Sequence, residues 1–336
     1  MKKIVDPLLK WYLENKRTFP WREDKDPYHV WISEIMLQQT RIEAVLNYYD
    51  RFMKRLPTIQ SLSEVEEDEL LKLWQGLGYY SRARNLKKAA QKMINDYQGE
   101  FPKNYEDILK LPGIGEYTAG AISSICFGLP EVAIDGNVMR VYSRVANVDI
   151  DITSPKERKK IASKIKQILP KNSGDFNEAI MELGEVICIP NGLPKCEICP
   201  LKEICKAHIL GRESSLPRKA IKKEKQEEDY TVFLLKCNGK IAIQKRKSGL
   251  LKNMWEFPNE IGFLSINQVK EKFSQAKSIK PSISNTHIFT HKKWYMKSYL
   301  IELDKEIEPF QWVSLEEIEK DYAIPTAFLP FLEQMK

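Results

Sequence analysis

The chain has 336 residues, 43% of them hydrophobic and 29% charged, a balance that excludes wholesale disorder. That length suits about two domains. The net charge of +7 permits a polyanionic partner without demanding one. No run approaches the ~18 apolar residues of a membrane span. The N-terminal text MKKIVDPLLKWYLENK opens like a signal peptide, but Asp6, Pro7 and Lys10 interrupt it before an apolar core forms. A cytoplasmic chain is therefore expected, with six reduced cysteines and no membrane partner.

Residues 1–210 read as helical. Apolar side chains recur at helical spacing, as in Trp31, Ile35, Ile42 and Tyr49, and again in Phe176, Ile180, Leu183 and Ile187. Prolines at 20, 27, 57, 102, 130, 155 and 170 punctuate the helices. Inside this region Glu34 stands among Trp31, Ile32, Ile35, Met36 and Leu37. A carboxyl in apolar surroundings prefers its neutral form, which suits a general acid; the plain alternative is an exposed helix glutamate. Further on, LPGIGEYTAG (111–120) places Gly113 and Gly115 between two helical stretches. Glycines there allow a tight hairpin whose N–H groups face a phosphate, although a simple interhelical turn has the same text. Asp135, in AIDGNV, precedes another helical run and is a candidate N-cap.

Four cysteines, Cys188, Cys196, Cys199 and Cys205, close the helical region in the pattern C-x7-C-x2-C-x5-C. Thiolates at that density hold a metal or a cluster. A four-cysteine zinc site normally shows two CxxC knuckles and only one is present, so the spacing favours iron–sulfur while leaving zinc open. Cys126 and Cys237 stand alone and read as packing residues.

Residues 211–229 are almost wholly polar and read as an exposed linker. From Tyr230 the periodicity changes. TVFLLK and KIAIQKR flank Asn238-Gly239, a strong hairpin signal. A further apolar run spans 294–303, and Ser314 with Glu317 looks like a capping box. The region 230–336 is expected to be an α+β domain.

The text LPGIGEYTAGAI resembles the helix-hairpin-helix of the endonuclease III superfamily of DNA glycosylases, and the cysteine run resembles its iron–sulfur loop. Within that superfamily the chain is most similar to the MutY adenine DNA glycosylases, through PWR (20–22), SEIMLQQT (33–40), GLGYYSRARNL (76–86) and IDGNVMRV (134–141). The second domain resembles a Nudix-type fold more loosely, through its fold pattern, the Trp255–Pro258 text WEFP and FTH at 289–291. The resemblance implies a multidomain architecture: an all-α helix-hairpin-helix glycosylase domain (1–210) with an iron–sulfur loop, a polar linker (211–229) and a Nudix-like domain (230–336). The nucleotide-hydrolase signature G-x5-E-x7-R-E-x-x-E-E is absent, so no nucleotide hydrolysis is expected.

The implied function is excision of adenine mispaired with 8-oxoguanine or guanine, from a duplex whose target base is flipped out. The resemblance assigns Glu34 as the acid that protonates adenine at N7. It assigns Asp135 as the carboxylate that stabilises an oxocarbenium-like sugar, supported by Asn137. Tyr117 stands where the endonuclease III branch carries a lysine. A phenol forms no imine, so hydrolysis without strand cleavage is implied. Trp21, Arg22 and Glu178 match the adenine pocket. Gln39, Leu77 and Tyr79 match residues that probe or intercalate, with Arg82 and Arg84 placed to hold phosphates. Cys188, Cys196, Cys199 and Cys205 would bind a 4Fe–4S cluster that presents Lys195, Lys202 and Lys206 to DNA. The helix-hairpin-helix would accept a structural monovalent or divalent cation.

Phe289, Thr290 and His291 match the loop that reads 8-oxoguanine, usually Phe-Ser-His. Two departures are present: threonine replaces serine there, and the first cysteine spacing is one residue longer than the usual six. A monomer is expected. The alternatives are a bifunctional glycosylase/lyase acting on oxidised pyrimidines, opposed by Tyr117 and the second domain, and a non-catalytic DNA-binding iron–sulfur protein, opposed by the presence of both Glu34 and Asp135.

Overall fold

The computed structural model describes residues 1–218 and 224–336. These fall into two compact units, one formed by residues 1–64 and 85–221 and the other by 65–84 and 222–336. The second unit thus recruits a short stretch from within the helical sequence.

The first unit is helical because its breaks and caps are written locally. Asp26 caps Pro27–Leu37 by accepting the Tyr28 N–H at 2.7 Å, with proline at the first helical position. Ser154 and Pro155 open Pro155–Lys166 in the same way. The apolar stripe through Trp31 and Tyr49 is divided between two helices, Pro27–Leu37 and Ile42–Arg55. The chain breaks between them at Gln39, which has φ 59°. The core joins Val5–Asn15, Gly136–Ala146 and Ser173–Val186 through Leu8, Tyr12, Val138, Met139, Phe176, Ile180 and Leu183. Gly184 permits the close approach that this packing needs, since a Cβ there would lie 2.7 Å from the Asn137 Cβ.

The sequence 211–218 reads as exposed linker, but part of it is packed. Leu216 is buried, and its carbonyl accepts from Arg144 Nε at 2.9 Å. Arg218 pairs with Asp149 at 3.2 Å. Strand β1 then begins at Gln226, inside the polar stretch; a few apolar contacts and a strand partner outweigh composition here. Residues 219–223 of that stretch lie outside the described residues.

The second unit is built on β1 (Gln226–Cys237), β2 (Lys240–Lys245), β3 (Trp255–Glu256), β4 (Asn259–Ile261), β5 (Ala276–Ile288), β6 (Lys292–Leu303) and β7 (Gln311–Val313). The order β3-β2-β1-β6-β5 is mixed: β1 and β6 run parallel, with β4 and β7 paired to β1 and β2. Asn238 (φ 48°) and Gly239 (φ 78°) form the β1–β2 turn, where both residues must adopt positive φ. Successive β1 residues alternate between two cores. Tyr230, Val232 and Leu234 join Trp294, Phe328 and Phe331 on one face; Phe233 and Leu235 join Val269, Phe273 and Ile301 on the other. The Ser314–Glu317 capping box forms and opens Leu315–Asp321. A second box, Ser265–Gln268, opens Ile266–Lys272. Among the described residues, no helix is long and apolar enough to cross a membrane.

Candidate active site

A cleft of about 1150 Å³ in the helical unit is lined by Trp21, Arg22, Glu34, Gln39, Tyr117, Asp135, Asn137, Glu178 and Glu182, among others. Glu34 lies in the last turns of Pro27–Leu37 and is 9% exposed. Its burial is the main reason its carboxyl rises to about 7; the nearby negative charges of Asp135 and Glu178 push the same way. A hydrogen bond from the Tyr117 phenol and the charge of Arg22 pull it back. Tyr117 sits one residue into Glu116–Phe127, whose N-cap is Gly115, and its hydroxyl also donates to Met181 Sδ at 3.3 Å. The phenol is pushed well above its ordinary range, first by burial and then by the two carboxyls.

Asp135 caps the helix Gly136–Ala146, accepting the Val138 N–H at 2.7 Å through Oδ1. Its Oδ2 accepts from Asn137 Nδ2 at 2.7 Å. Burial raises its pKa and these hydrogen bonds oppose the rise. The capping role and a place in the cleft therefore coexist in one side chain. Asn137 Oδ1 in turn accepts from Arg140 Nη2 at 2.7 Å, and Arg140 also donates to the carbonyls of Cys188 and Gly184.

Trp21 is buried in a stacked pair with Phe19, ring centroids 5.1 Å apart. Arg22 reaches Glu178 and Glu182, each at 3.1 Å, and lies over the Phe19 ring. Glu182 also holds Arg17 at 2.5 Å. The sequence reading missed Arg17, Phe19 and Glu182. The sequence carried little signal for them: Glu178 and Glu182 lie four apart on the helix face opposite the stripe of Phe176, Ile180 and Leu183, where a glutamate pair reads as solvated. Their cations come from residues 17 and 22, some 160 positions away, and spacing carries no trace of that.

Gly113, with φ 79°, turns the hairpin against Asn85; a Cβ there would meet the Asn85 Cβ at 2.6 Å. Gly115 leaves open space at the N-terminus of the following helix. Gln39 is exposed at the helix break.

Leu77 and Tyr79 belong to the second unit. Tyr79 is 41% exposed and Leu77 only 6%. Arg82 differs from the expectation of a phosphate contact. It is buried, donates to the carbonyls of Leu77 (3.0 Å) and Gly78 (3.1 Å), and lies over the Trp74 ring. Desolvation lowers it to about 10. It is a scaffold for the loop. Arg84 donates to the Lys252 carbonyl at 3.1 Å.

Phe289, Thr290 and His291 form the β5–β6 turn, closed by the Phe289 N–H to the Lys292 carbonyl at 2.8 Å. The Phe289 ring packs edge-on against Trp294 at 4.7 Å and anchors the turn. Thr290 is hydrogen-bonded to the Tyr79 hydroxyl, and both Thr290 and His291 are exposed.

Cys188, Cys196, Cys199 and Cys205 line one small pocket with Val141, Val145, Leu183 and Leu201. Burial pushes Cys196 up to about 11 and Cys199 up to about 12. Arg144 donates to Cys188 Sγ at 3.2 Å. Four soft donors in an apolar pocket with a cationic hydrogen-bond donor fit an iron–sulfur cluster. The extra loop residue does not pull Cys188 away from the set. His208 and Glu213 approach Cys196 but are engaged with each other at 2.6 Å. Lys202 is paired with Glu197 at 2.9 Å.

Residues 32–170 match the HhH-GPD superfamily base excision DNA repair proteins, and residues 231–334 match the NUDIX domain. The class is therefore a DNA N-glycosylase with a helix-hairpin-helix fold and a Nudix-like second domain. Sequence likeness narrows this. The chain is 37% identical to an adenine DNA glycosylase of Buchnera aphidicola subsp. Baizongia pistaciae (strain Bp) over 297 residues, covering 87% of this chain and 83% of the relative. It is 35% identical to the adenine DNA glycosylase of Homo sapiens over 308 residues, 75% of this chain and 56% of the human one. This chain belongs to the adenine DNA glycosylase family. Among solved structures, a thermostable thymine-DNA glycosylase aligns with TM-score 0.57 and 31% identity, over 62% of this chain and 97% of that one.

Proposed function

We propose that this protein removes adenine mispaired with 8-oxoguanine or guanine in duplex DNA, by hydrolysis and without cutting the strand. One observation carries the reading: a buried Glu34 carboxyl, neutral up to about pH 7, in the same cleft as Asp135 held by two hydrogen bonds.

Glu34 delivers its proton to N7 of the flipped adenine, and the base becomes a better leaving group. As the N-glycosidic bond breaks, positive charge develops on the sugar, and Asp135 faces it as a carboxylate; a water then adds to the anomeric carbon and gives up a proton, which returns a carboxylate of the cleft to its acid form. Asn137 keeps one Asp135 oxygen oriented. Trp21 supplies an apolar wall to the base, and Arg22 with Glu178 supplies the polar edge. Tyr117 holds Glu34 and supplies no amine, so no Schiff base forms with the sugar. Gln39 and Tyr79, both exposed, probe the strand distortion, with the buried Leu77 supporting the Tyr79 loop, while Gly113 and Gly115 present N–H groups to a phosphate. The same hairpin accepts a cation through its carbonyls. Thr290 and His291 read the opposite base, each having groups that donate and accept hydrogen bonds. The functional division runs 1–210 and 230–336, and the protein acts as a monomer.

The four cysteines would hold a 4Fe–4S cluster, which fixes the loop that carries them and its lysines. Anaerobically purified protein is expected to be brown, with iron and acid-labile sulfide; stoichiometric zinc without iron rejects the cluster. The reaction is tested with end-labelled duplexes carrying adenine opposite 8-oxoguanine. Free adenine with strand scission only after alkali supports hydrolysis. Scission without alkali, trapped by borohydride, rejects it.

A further inference from the structure

Residues 65–84 are helical text, yet they pack as part of the second unit. Four polar links hold them there. Lys72, on Glu67–Leu73, donates to the carbonyls of Tyr322 (2.9 Å) and Ile318 (3.2 Å) at the C-terminal end of Leu315–Asp321. Asp68 pairs with Lys245 at 2.6 Å, Glu67 accepts from Asn253 at 2.9 Å, and Arg84 donates to the Lys252 carbonyl.

The Lys72 contact differs in kind from the others. The Asp68–Lys245 pair is 40% exposed on both sides, and such a pair contributes little. Lys72 is half-buried, and desolvation lowers its pKa. Its ammonium takes the Tyr322 carbonyl just past the end of Leu315–Asp321 and adds a second donor to the Ile318 carbonyl, which also accepts the Tyr322 N–H, at a helix end where the dipole favours a cation. The acceptors are themselves fixed: Ile318 is fully buried, and the Tyr322 ring packs edge-on against Trp255 at 4.9 Å.

What Lys72 holds is the platform of the probing loop. Trp74, two residues on, is fully buried, and its Nε1 donates to the Gly78 carbonyl at 3.1 Å. Arg82 lies over Trp74 and clamps the Leu77 and Gly78 carbonyls. Gly76 (φ 104°), Gly78 (φ 71°) and Tyr79 (φ 46°) turn the loop so that Tyr79 meets Thr290. A displacement of Glu67–Leu73 therefore moves Tyr79 with it.

We propose that Lys72 is a positioning residue for opposite-base selection: by docking Glu67–Leu73 onto Leu315–Asp321 it sets the Tyr79 loop and the Thr290–His291 turn as one reading surface. This rests on the opposite-base role proposed above for that turn. The adenine pocket residues lie in the other unit, so the effect falls on preference rather than on excision itself.

The test uses the full-length protein and compares excision efficiency on adenine opposite 8-oxoguanine with that opposite guanine. Lys72→Met is expected to lower the preference about tenfold and leave the guanine-mispair rate within twofold. Amides 67–79 should exchange faster in that variant. Lys72→Arg, which keeps a cationic donor, should restore both preference and protection. Thr290→Ala with His291→Ala is run alongside. If that pair lowers the preference while Lys72→Met keeps it within twofold of wild type, the positioning role is overturned and the reading turn stands. If neither set changes the preference, both the turn's role and the positioning role fail.

Discussion

The cleft around Glu34 and the β5–β6 turn solve recognition in opposite ways. In the cleft the groups are buried: burial first raises Glu34, Asp135, Tyr117 and Glu178, neighbouring charges and hydrogen bonds then add to or oppose the rise, and Glu178 and Glu182 hold Arg22 up against its own burial. In the turn, Thr290 and His291 are exposed, and only the Phe289 anchor beneath them is packed. Water competes for every hydrogen bond the turn makes. A buried site can place large energies on single atoms, whereas an exposed one depends on how firmly its backbone is held.

The sharpest way to break this contrast is to alter one atom in the cleft. Glu34→Gln is expected to slow single-turnover adenine release by ~10²–10⁴, the usual cost of losing a general acid. Asp135→Asn should do the same, because it removes the facing charge while leaving a side chain able to cap. Rapid-quench measurement of free base decides; rates within tenfold of wild type for both variants would remove the pair from the mechanism.

Next comes the ion network. Glu182→Gln leaves Arg17 and Arg22 with less buried negative charge, and the helical unit should lose ~3 kcal/mol in urea unfolding. A loss no larger than that of a surface substitution would mean the network is relaxed by water.

A pH series sharpens the point about burial. Glu34 has a folded pKa of about 7 against an ordinary 4.5. Its raised value means that the stability contribution of the neutral form is present below about 4.5 and is lost as pH climbs through about 7. Relative to wild type, Glu34→Gln should therefore gain ~2–3 kcal/mol between pH 4 and pH 8. Wild-type excision should fall on the alkaline side of about pH 7, where the acid has lost its proton. A pH-independent stability difference between the two proteins would show that Glu34 is solvated.

The smallest effect is expected in the turn. Thr290→Ala with His291→Ala should cost ~1–3 kcal/mol of preference for 8-oxoguanine over guanine. Adenine release opposite guanine should stay nearly unchanged. An unaltered ratio in competition assays would place all discrimination in the helical unit.

Local features were legible in the sequence because they are decided within a few residues. The Asn238-Gly239 turn, the Ser314–Glu317 box and the glycine hairpin depend on φ angles and on hydrogen bonds that span three or four positions. Glu34 was legible for a related reason: its apolar neighbours on one helix already describe its surroundings. The strand β5 was not read, because its alternation is mostly polar and Pro281 interrupts it. It exists because thirteen residues find β6 beside them.

Tertiary structure alone decided which distant charges meet. It brought Arg17 and Arg22 to Glu182, turned Arg82 inward as a scaffold, packed Leu216 where composition suggested an exposed linker, and assigned residues 65–84 to the second unit. The reason is physical. Capping, turn geometry and helical or strand periodicity are short-range and leave a pattern in neighbouring letters, while desolvation and ion pairing depend on what the folded chain places within a few ångströms, at separations that no local pattern records.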